Sequence, residues 1–362
     1  MKVSPNLNRR DFLAAGSAAA LAAFALRGWA APAGPRRLRV AQIGTAHAHA
    51  AEKWATLQRF PEHFAVAGLC EPDPALRAKA AGQEEYRGAA WLAEEELFSR
   101  DDLDAVLVET ELPDLLRYGE RAIARGWHLH LDKPPGRDLA AWRRLQAAAA
   151  AARRVLQPGY MYRYHPALRF CLEAQERGWL GEILAIHGDI GKVIGPARRP
   201  WLAEHYGGSM LLLGCHLIDL TVALMGAPAS VTTHRRRSFP ERDAFSDHEV
   251  AVLGYPRGLA TIRSLLAEVG GDDRRQLVVC GENATLEVTP LEPARLRVAF
   301  QRPPAGFRAG YQDVPLPAVA GRYDEQLLDF AAMAQGQPSR LPRFDAAHDA
   351  LVQDVLLRAA GA

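Results

Sequence analysis

Between residues 38 and 157 the chain repeats one pattern: a short apolar run, a turn, then a helical stretch. The run 38–43 alternates poorly and is mostly apolar, as a strand covered on both faces is, and further strand-like runs follow at 64–70, 104–108, 127–131 and 154–157. Helical periodicity fills the gaps. It runs through Leu57, through about Ala81, over 113–125, and over 139–153, where an alanine run has high helix propensity. Strands alternating with helices predict a parallel, doubly wound sheet. In such sheets ligands gather at the carboxyl ends of the strands. Gly44, Glu71 and Lys133 all stand at such ends.

From Gly159 the pattern changes. Helical stretches at 166–177 and 208–225 flank a strand at 182–190, and strand-like runs recur at 229–236, 247–254, 258–267, 275–280, 284–288 and 295–300. Turn chemistry such as Tyr255-Pro256-Arg257-Gly258 joins them, and 322–335 and 345–360 read as closing helices. A length of 362 residues suits two domains better than one core. The expected architecture is α/β plus α+β. A Rossmann-like parallel domain spans 36–157, and an α+β domain with a large, mostly antiparallel, open-faced sheet spans 158–362.

The formal net charge of +2 gives no reason to expect a nucleic-acid partner. Cys70, Cys171, Cys215 and Cys280 lie far apart and match no metal or disulfide spacing, so packing is their expected role. Residues 1–33 read as a twin-arginine signal peptide. Arg9-Arg10 precedes Phe12-Leu13, an alanine-rich apolar run extends to Leu26, and small residues offer cleavage at 28–30 or 31–33. The run is short for a membrane span, so none is expected after cleavage, and the expected location is the periplasm. Twin-arginine export carries folded proteins, so a cofactor loaded in the cytoplasm would have to stay bound through the catalytic cycle.

The first turn, Gly44-Thr45-Ala46-His47-Ala48-His49, keeps one glycine of the three in a full dinucleotide fingerprint. Strand, turn and helix in that order still aim backbone N–H groups of Gly44, Thr45, Ala46 and His47 at a phosphate. Glu71, after the second strand, is placed to accept hydrogen bonds from ribose hydroxyls, which favours NAD over NADP. Lys133, in Asp132-Lys133-Pro134 at a strand end, offers a cation able to steady a developing alkoxide. His216 lies in an apolar helical segment and suits a general base, with Asp219 one turn later as a group to orient it. The pairs His47/His49 and His128/His130 fit no fixed metal motif and are read as incidental; no metal is expected.

Taken in order, these segments resemble the glucose–fructose oxidoreductase / inositol dehydrogenase / rhizopine-catabolism (Gfo/Idh/MocA) oxidoreductases over essentially all of 36–362. The resemblance rests on Asp132-Lys133-Pro134 in place of Glu-Lys-Pro, on Tyr160-Met161-Tyr162-Arg163-Tyr164-His165-Pro166, and on Gly207-Gly208-Ser209 followed by Gly214-Cys215-His216-Leu217-Ile218-Asp219. Gly281 and the segment from Tyr323 to Phe330 complete it. It implies that Lys133 contacts the nicotinamide end and the substrate, and that His216 is the acid/base. It also implies that Tyr162, Arg163, His165 and Asp219 line a substrate pocket, and that the chain forms a homo-oligomer through the exposed sheet face. The family commonly has an aspartate four residues before the histidine, where this chain has Leu212.

The leading expectation is an exported oxidoreductase that holds NAD (or NADP) tightly and oxidises a carbinol of a sugar, polyol or glycoside. A redox-neutral sugar hydrolase or lyase, working by transient oxidation, is the alternative. A non-catalytic sugar- or partner-binding protein is the third reading, motivated by Leu212 and the missing glycines.

Overall fold

A computed structural model describes residues 36–361. The segment expected to be a signal peptide, 1–33, lies outside the described residues. In the first half, strands β1 (Leu38–Ile43), β2 (Phe64–Cys70), β3 (Ala105–Val108), β4 (His128–Leu131) and β5 (Leu156–Pro158) form one parallel sheet in the order β2-β1-β3-β4-β5. Register runs from Val40 opposite Ala105 to Leu131 opposite Pro158. Helices α1 (Ala50–Arg59), α2 (Pro74–Ala81), α3 (Glu94–Ser99), α4 (Leu112–Ala124) and α5 (Leu139–Ala151) connect the strands. All four residues of β3 are buried, which is why its sequence, Ala-Val-Leu-Val, shows no alternation. Local chemistry sets the helix starts: Asp73 accepts from the Ala75 and Leu76 N–H groups, and Asp138 from that of Ala141.

The second half packs α6 (Pro166–Glu176), α7 (Arg199–His205) and α8 (Cys215–Met225) with an eight-stranded sheet. Its strands are β6 (Ile183–Gly191), β7 (Ser230–Arg236), β8 (His248–Gly254), β9 (Leu259–Leu265), β10 (Gln276–Gly281), β11 (Ala284–Val288), β12 (Leu296–Phe300) and β13 (Gly310–Val314), in the order β13-β12-β11-β10-β6-β9-β8-β7. Pairing is antiparallel except between β6 and β9. Burial alternates along β8, β9 and β11, so one face carries the core and the other stays partly open. Leu217 on α8 packs onto Gly188 of β6, where a Cβ would stand 3.0 Å from the leucine.

The closing helices α9 (Asp324–Ala334) and α10 (Ala346–Ala359) tie the halves together. Gln157 Nε2 donates to the Gln326 carbonyl, Trp142 Nε1 to the Asp349 carbonyl, and Arg59 on α1 pairs with Asp324. The strand end at Lys133 and the helix bearing His216 are thereby held against each other. The four cysteines are unpaired, and Cys70, Cys171 and Cys215 are buried, in keeping with a packing role.

Candidate active site at the domain seam

Gly44 follows β1 with φ +88, and a Cβ there would lie 2.7 Å from the Thr110 backbone nitrogen. The position needs both the left-handed backbone and the missing side chain, so the turn can press against the end of β3. Thr45 and Ala46 are half-buried and Ala48 is exposed, so only small side chains stand over the turn. Glu71 is buried at the end of β2, and its Oε2 accepts from the Thr45 N–H at 2.7 Å and the Thr45 hydroxyl at 2.8 Å. The His47 N–H donates to the Glu109 carbonyl at 3.1 Å. The Gly44 N–H donates to the Cys70 carbonyl at 2.7 Å, so three of the four amides expected to aim at a phosphate, those of Gly44, Thr45 and His47, are taken within the protein. The short turn carries only small side chains at Gly44, Thr45 and Ala46, as a dinucleotide lying across them would need, while both Glu71 oxygens accept within the protein, Oε1 from the Asp73 N–H at 3.1 Å.

Lys133 is buried at the end of β4, and its Nζ donates to the Leu212 carbonyl at 3.2 Å. Leu212 belongs to a π-helical segment, Met210–Gly214, that leads directly into α8. Such wide turns recur at functional sites. The glycine pair before it has a steric cause: a Cβ at Gly208 would meet the buried Glu249 carboxylate, which accepts the Met210 N–H at 2.5 Å. His216 follows one turn after Leu212, which places it near the carbonyl that holds Lys133 Nζ.

The His216 ring is buried, and its Nδ1 has no hydrogen-bond partner. It packs among Tyr162 (ring centroids 5.0 Å apart), Tyr160 (6.1 Å) and His49 (6.2 Å). Burial holds the imidazole well below its usual pKa, and the positive charge of Lys133 adds to the effect. The neutral ring is the form a general base needs.

Asp219 does not orient His216. Its carboxylate accepts from Arg163 Nη2 at 2.6 Å and lies 3.1 Å from His348 Nε2, and Arg163 Nη2 also reaches Asp349 Oδ1 at 2.6 Å. All of these carboxylates and the arginine are buried. Arg163 and Asp219 are thus tied into a buried ion network with His348 and Asp349 of α10. Tyr162 does reach the site: its ring faces His216, and its hydroxyl donates to Glu292 at 2.8 Å. Glu292 also accepts from Arg322 at 2.6 Å. His165 is half-buried beside Tyr162, with ring centroids 6.2 Å apart and Nδ1 unpartnered. Sequence reasoning missed Glu292 and Arg322, which lie in loops with no motif to mark them.

The two histidine pairs part company in the structure. His128 accepts the Val155 N–H at 3.0 Å, and His130 Nδ1 lies 2.8 Å from Gln157 Oε1. His47 and His49 instead converge on Asp132, with Nδ1–Oδ2 separations of 2.8 Å and 3.1 Å. Lys53 Nζ reaches the same carboxylate and Glu109 Oε1, both at 2.8 Å, with every member of this group buried. Burial would depress the Lys53 pKa, but the two carboxylates outweigh it and raise it. Burial would raise that of Asp132, yet His47, Lys53 and His49 hold it well below the usual range.

A doubly wound dinucleotide fold facing a buried lysine–histidine pocket is the arrangement of a nicotinamide-dependent oxidoreductase. The chain belongs to the Gfo/Idh/MocA family: residues 38–160 match the oxidoreductase family's NAD-binding Rossmann fold, and residues 169–287 match the GFO/IDH/MocA C-terminal domain. It is 24% identical over 238 residues to the uncharacterized oxidoreductase YdgJ of Escherichia coli K12, covering 64% of this chain and 68% of that one. It is 26% identical over 284 residues to the dTDP-3,4-didehydro-2,6-dideoxy-alpha-D-glucose 3-reductase of Streptomyces violaceoruber, covering 75% and 76%. Among solved structures, the aldose-aldose oxidoreductase of Caulobacter crescentus superposes with a TM-score of 0.74 at 22% identity, over 90% of this chain and 98% of that one. The UDP-N-acetylglucosamine 3-dehydrogenase GnnA of Acidithiobacillus ferrooxidans gives 0.72 at 20%, over 90% and 98%. The chain is accordingly an NAD(P)-dependent oxidoreductase.

Proposed function

We propose that the chain oxidises a carbinol of a sugar, polyol or glycoside, with His216 as general base and Lys133 steadying the oxygen. The observation that carries this reading is the neutral, buried His216 with a free Nδ1, one turn past the carbonyl that holds Lys133 Nζ. The bound dinucleotide supplies the hydride acceptor. His216 takes the hydroxyl proton, Lys133 stabilises the oxygen as negative charge develops, and the aromatic walls of Tyr160 and Tyr162 exclude water. Gly44, Thr45, Ala46 and Glu71 hold the cofactor, while Tyr162 and His165 border the substrate. Two relatives named for sugar-nucleotide substrates and one named for aldoses support a sugar-like substrate. The paired arginines ahead of the apolar run support twin-arginine export to the periplasm, and export supports a cofactor that stays bound.

The test starts from protein purified without added nucleotide. Denaturation and mass spectrometry should release stoichiometric NAD or NADP, and a sugar and polyol panel should then reduce the bound cofactor. Protein that is empty and also fails to bind added nucleotide would contradict the proposal. So would release of free aglycone without any net reduction, which would favour the redox-neutral chemistry instead.

A further inference from the structure

Among the described residues, His47, His49 and Asp132 are the one group of three whose ligand-type atoms all lie within 4.8 Å of one another. We propose that these three side chains form a binding site for a divalent transition-metal ion of the zinc class, with an open position for an oxygen ligand from the adjoining pocket. Two imidazole nitrogens and a carboxylate oxygen make a donor set typical of such ions, which bind these atoms at about 2.0–2.2 Å and keep a fourth position for water or substrate in reactive sites. The ligands come from two rigid places, the tight turn after β1 and the end of β4.

The three side chains converge on a small buried volume. The backbone N–H of His49 lies 3.3 Å from His47 Nδ1. The same Nδ1 lies 2.8 Å from Asp132 Oδ2, so that nitrogen and that oxygen stand close enough to serve one ion. Asp132 Oδ2 also lies 3.1 Å from His49 Nδ1, so both rings address one oxygen.

The surroundings supply what ligating carboxylates need. The Lys133 N–H donates to Asp132 Oδ1 at 2.6 Å, and Lys53 Nζ donates to Oδ2 at 2.8 Å, fixing the orientation of the group. Lys53 is a like charge to an incoming cation, and it is shared between two carboxylates, Asp132 and Glu109. Behind the cluster, Glu109 Oε2 and His130 Nε2 are buried without partners. The His49 ring lies 6.2 Å from that of His216, so the ion would sit beside the candidate catalytic pocket. A hydroxyl or carbonyl oxygen of a polyol is the ligand chemistry suited to its open position.

The experiment uses the full chain, stripped with a chelator and titrated with cobalt(II) as a spectroscopic stand-in for zinc. A stoichiometric site should show visible ligand-field bands and should be displaced by zinc. His47→Asn and His49→Asn should each weaken cobalt binding by at least about tenfold, while far-ultraviolet circular dichroism stays unchanged. No bands with stoichiometric cobalt, or equal binding by the wild type and both variants, would overturn the proposal. Should the variants fail to fold, the wild type still decides: saturating zinc should raise its melting temperature, and no shift would contradict the site.

Discussion

Two buried charge networks lie on either side of His216, and they differ in one respect. Arg163, Asp219, Asp349 and His348 make a closed set in which Arg163 bridges two carboxylates and His348 reaches one of them. His47, His49, Lys53, Glu109 and Asp132 make an open one, where both imidazoles crowd one carboxylate oxygen and Glu109 Oε2 has no partner. A satisfied network locks elements together, here α10 onto the start of the second half. An open one leaves polar valence for water or a ligand to meet. The contrast teaches that burial and charge by themselves do not mark a site; the leftover valence does.

Breaking the closed network should have the largest effect on folding. Asp219→Ala leaves Arg163 short of a buried partner and should cost about 3–5 kcal/mol, read as a lower denaturation midpoint. A loss below about 1 kcal/mol would remove the network from its structural role.

Lys133→Ala should strike activity rather than stability. Loss of a group that stabilises developing charge costs about 10²–10³ in kcat. Dinucleotide binding and melting temperature should change far less, and an unaltered rate would take the lysine out of the reaction.

Acid should separate the buried histidines from the exposed surface. Burial holds His130 down to about 3, and His216 also lies well below its usual value. Between the unfolded value near 6.5 and these folded values the unfolded chain binds more protons, so stability rises with pH there. Acidification from about pH 6.5 toward 3 should therefore remove stability, by about 1.4 kcal/mol per unit for each such histidine. Urea midpoints independent of pH over that window would contradict the burial.

The smallest expected effect belongs to Leu212→Asp. Leu212 is half-buried and gives Lys133 its carbonyl rather than its side chain, so a carboxylate there adds a proton acceptor to an intact pocket. A severalfold rise in the rate of sugar oxidation is expected; an unchanged rate across a panel of carbinols would show that the leucine is not limiting.

Much of this was legible in the sequence because the parallel sheet is buried on both faces, which writes strands such as β2 and β3 as apolar runs. The polar edge strand Gly310–Val314 and the short helices Glu94–Ser99 and Arg199–His205 left no such trace. The parallel pairing of β6 with β9 depends on distant segments, so local pattern cannot reveal it. Lys133 and His216 stood out because a lysine at a strand end and a histidine in an apolar helix are locally odd. Asp219 was misjudged as a partner of His216 because its real partners, Arg163 and His348, lie 56 and 129 residues away. The same distance hid the meeting of His47 and His49 with Asp132: each half was visible, but their convergence was not.

The most direct test of the account is a single-turnover measurement of cofactor reduction by a reactive sugar, comparing the wild type with His216→Ala, both loaded with the dinucleotide. The account predicts rapid formation of reduced nicotinamide by the wild type and a loss of about 10²–10⁴ in that rate for the variant, with cofactor affinity preserved. Equal rates would contradict His216 as the base and, with it, the central reading of the pocket.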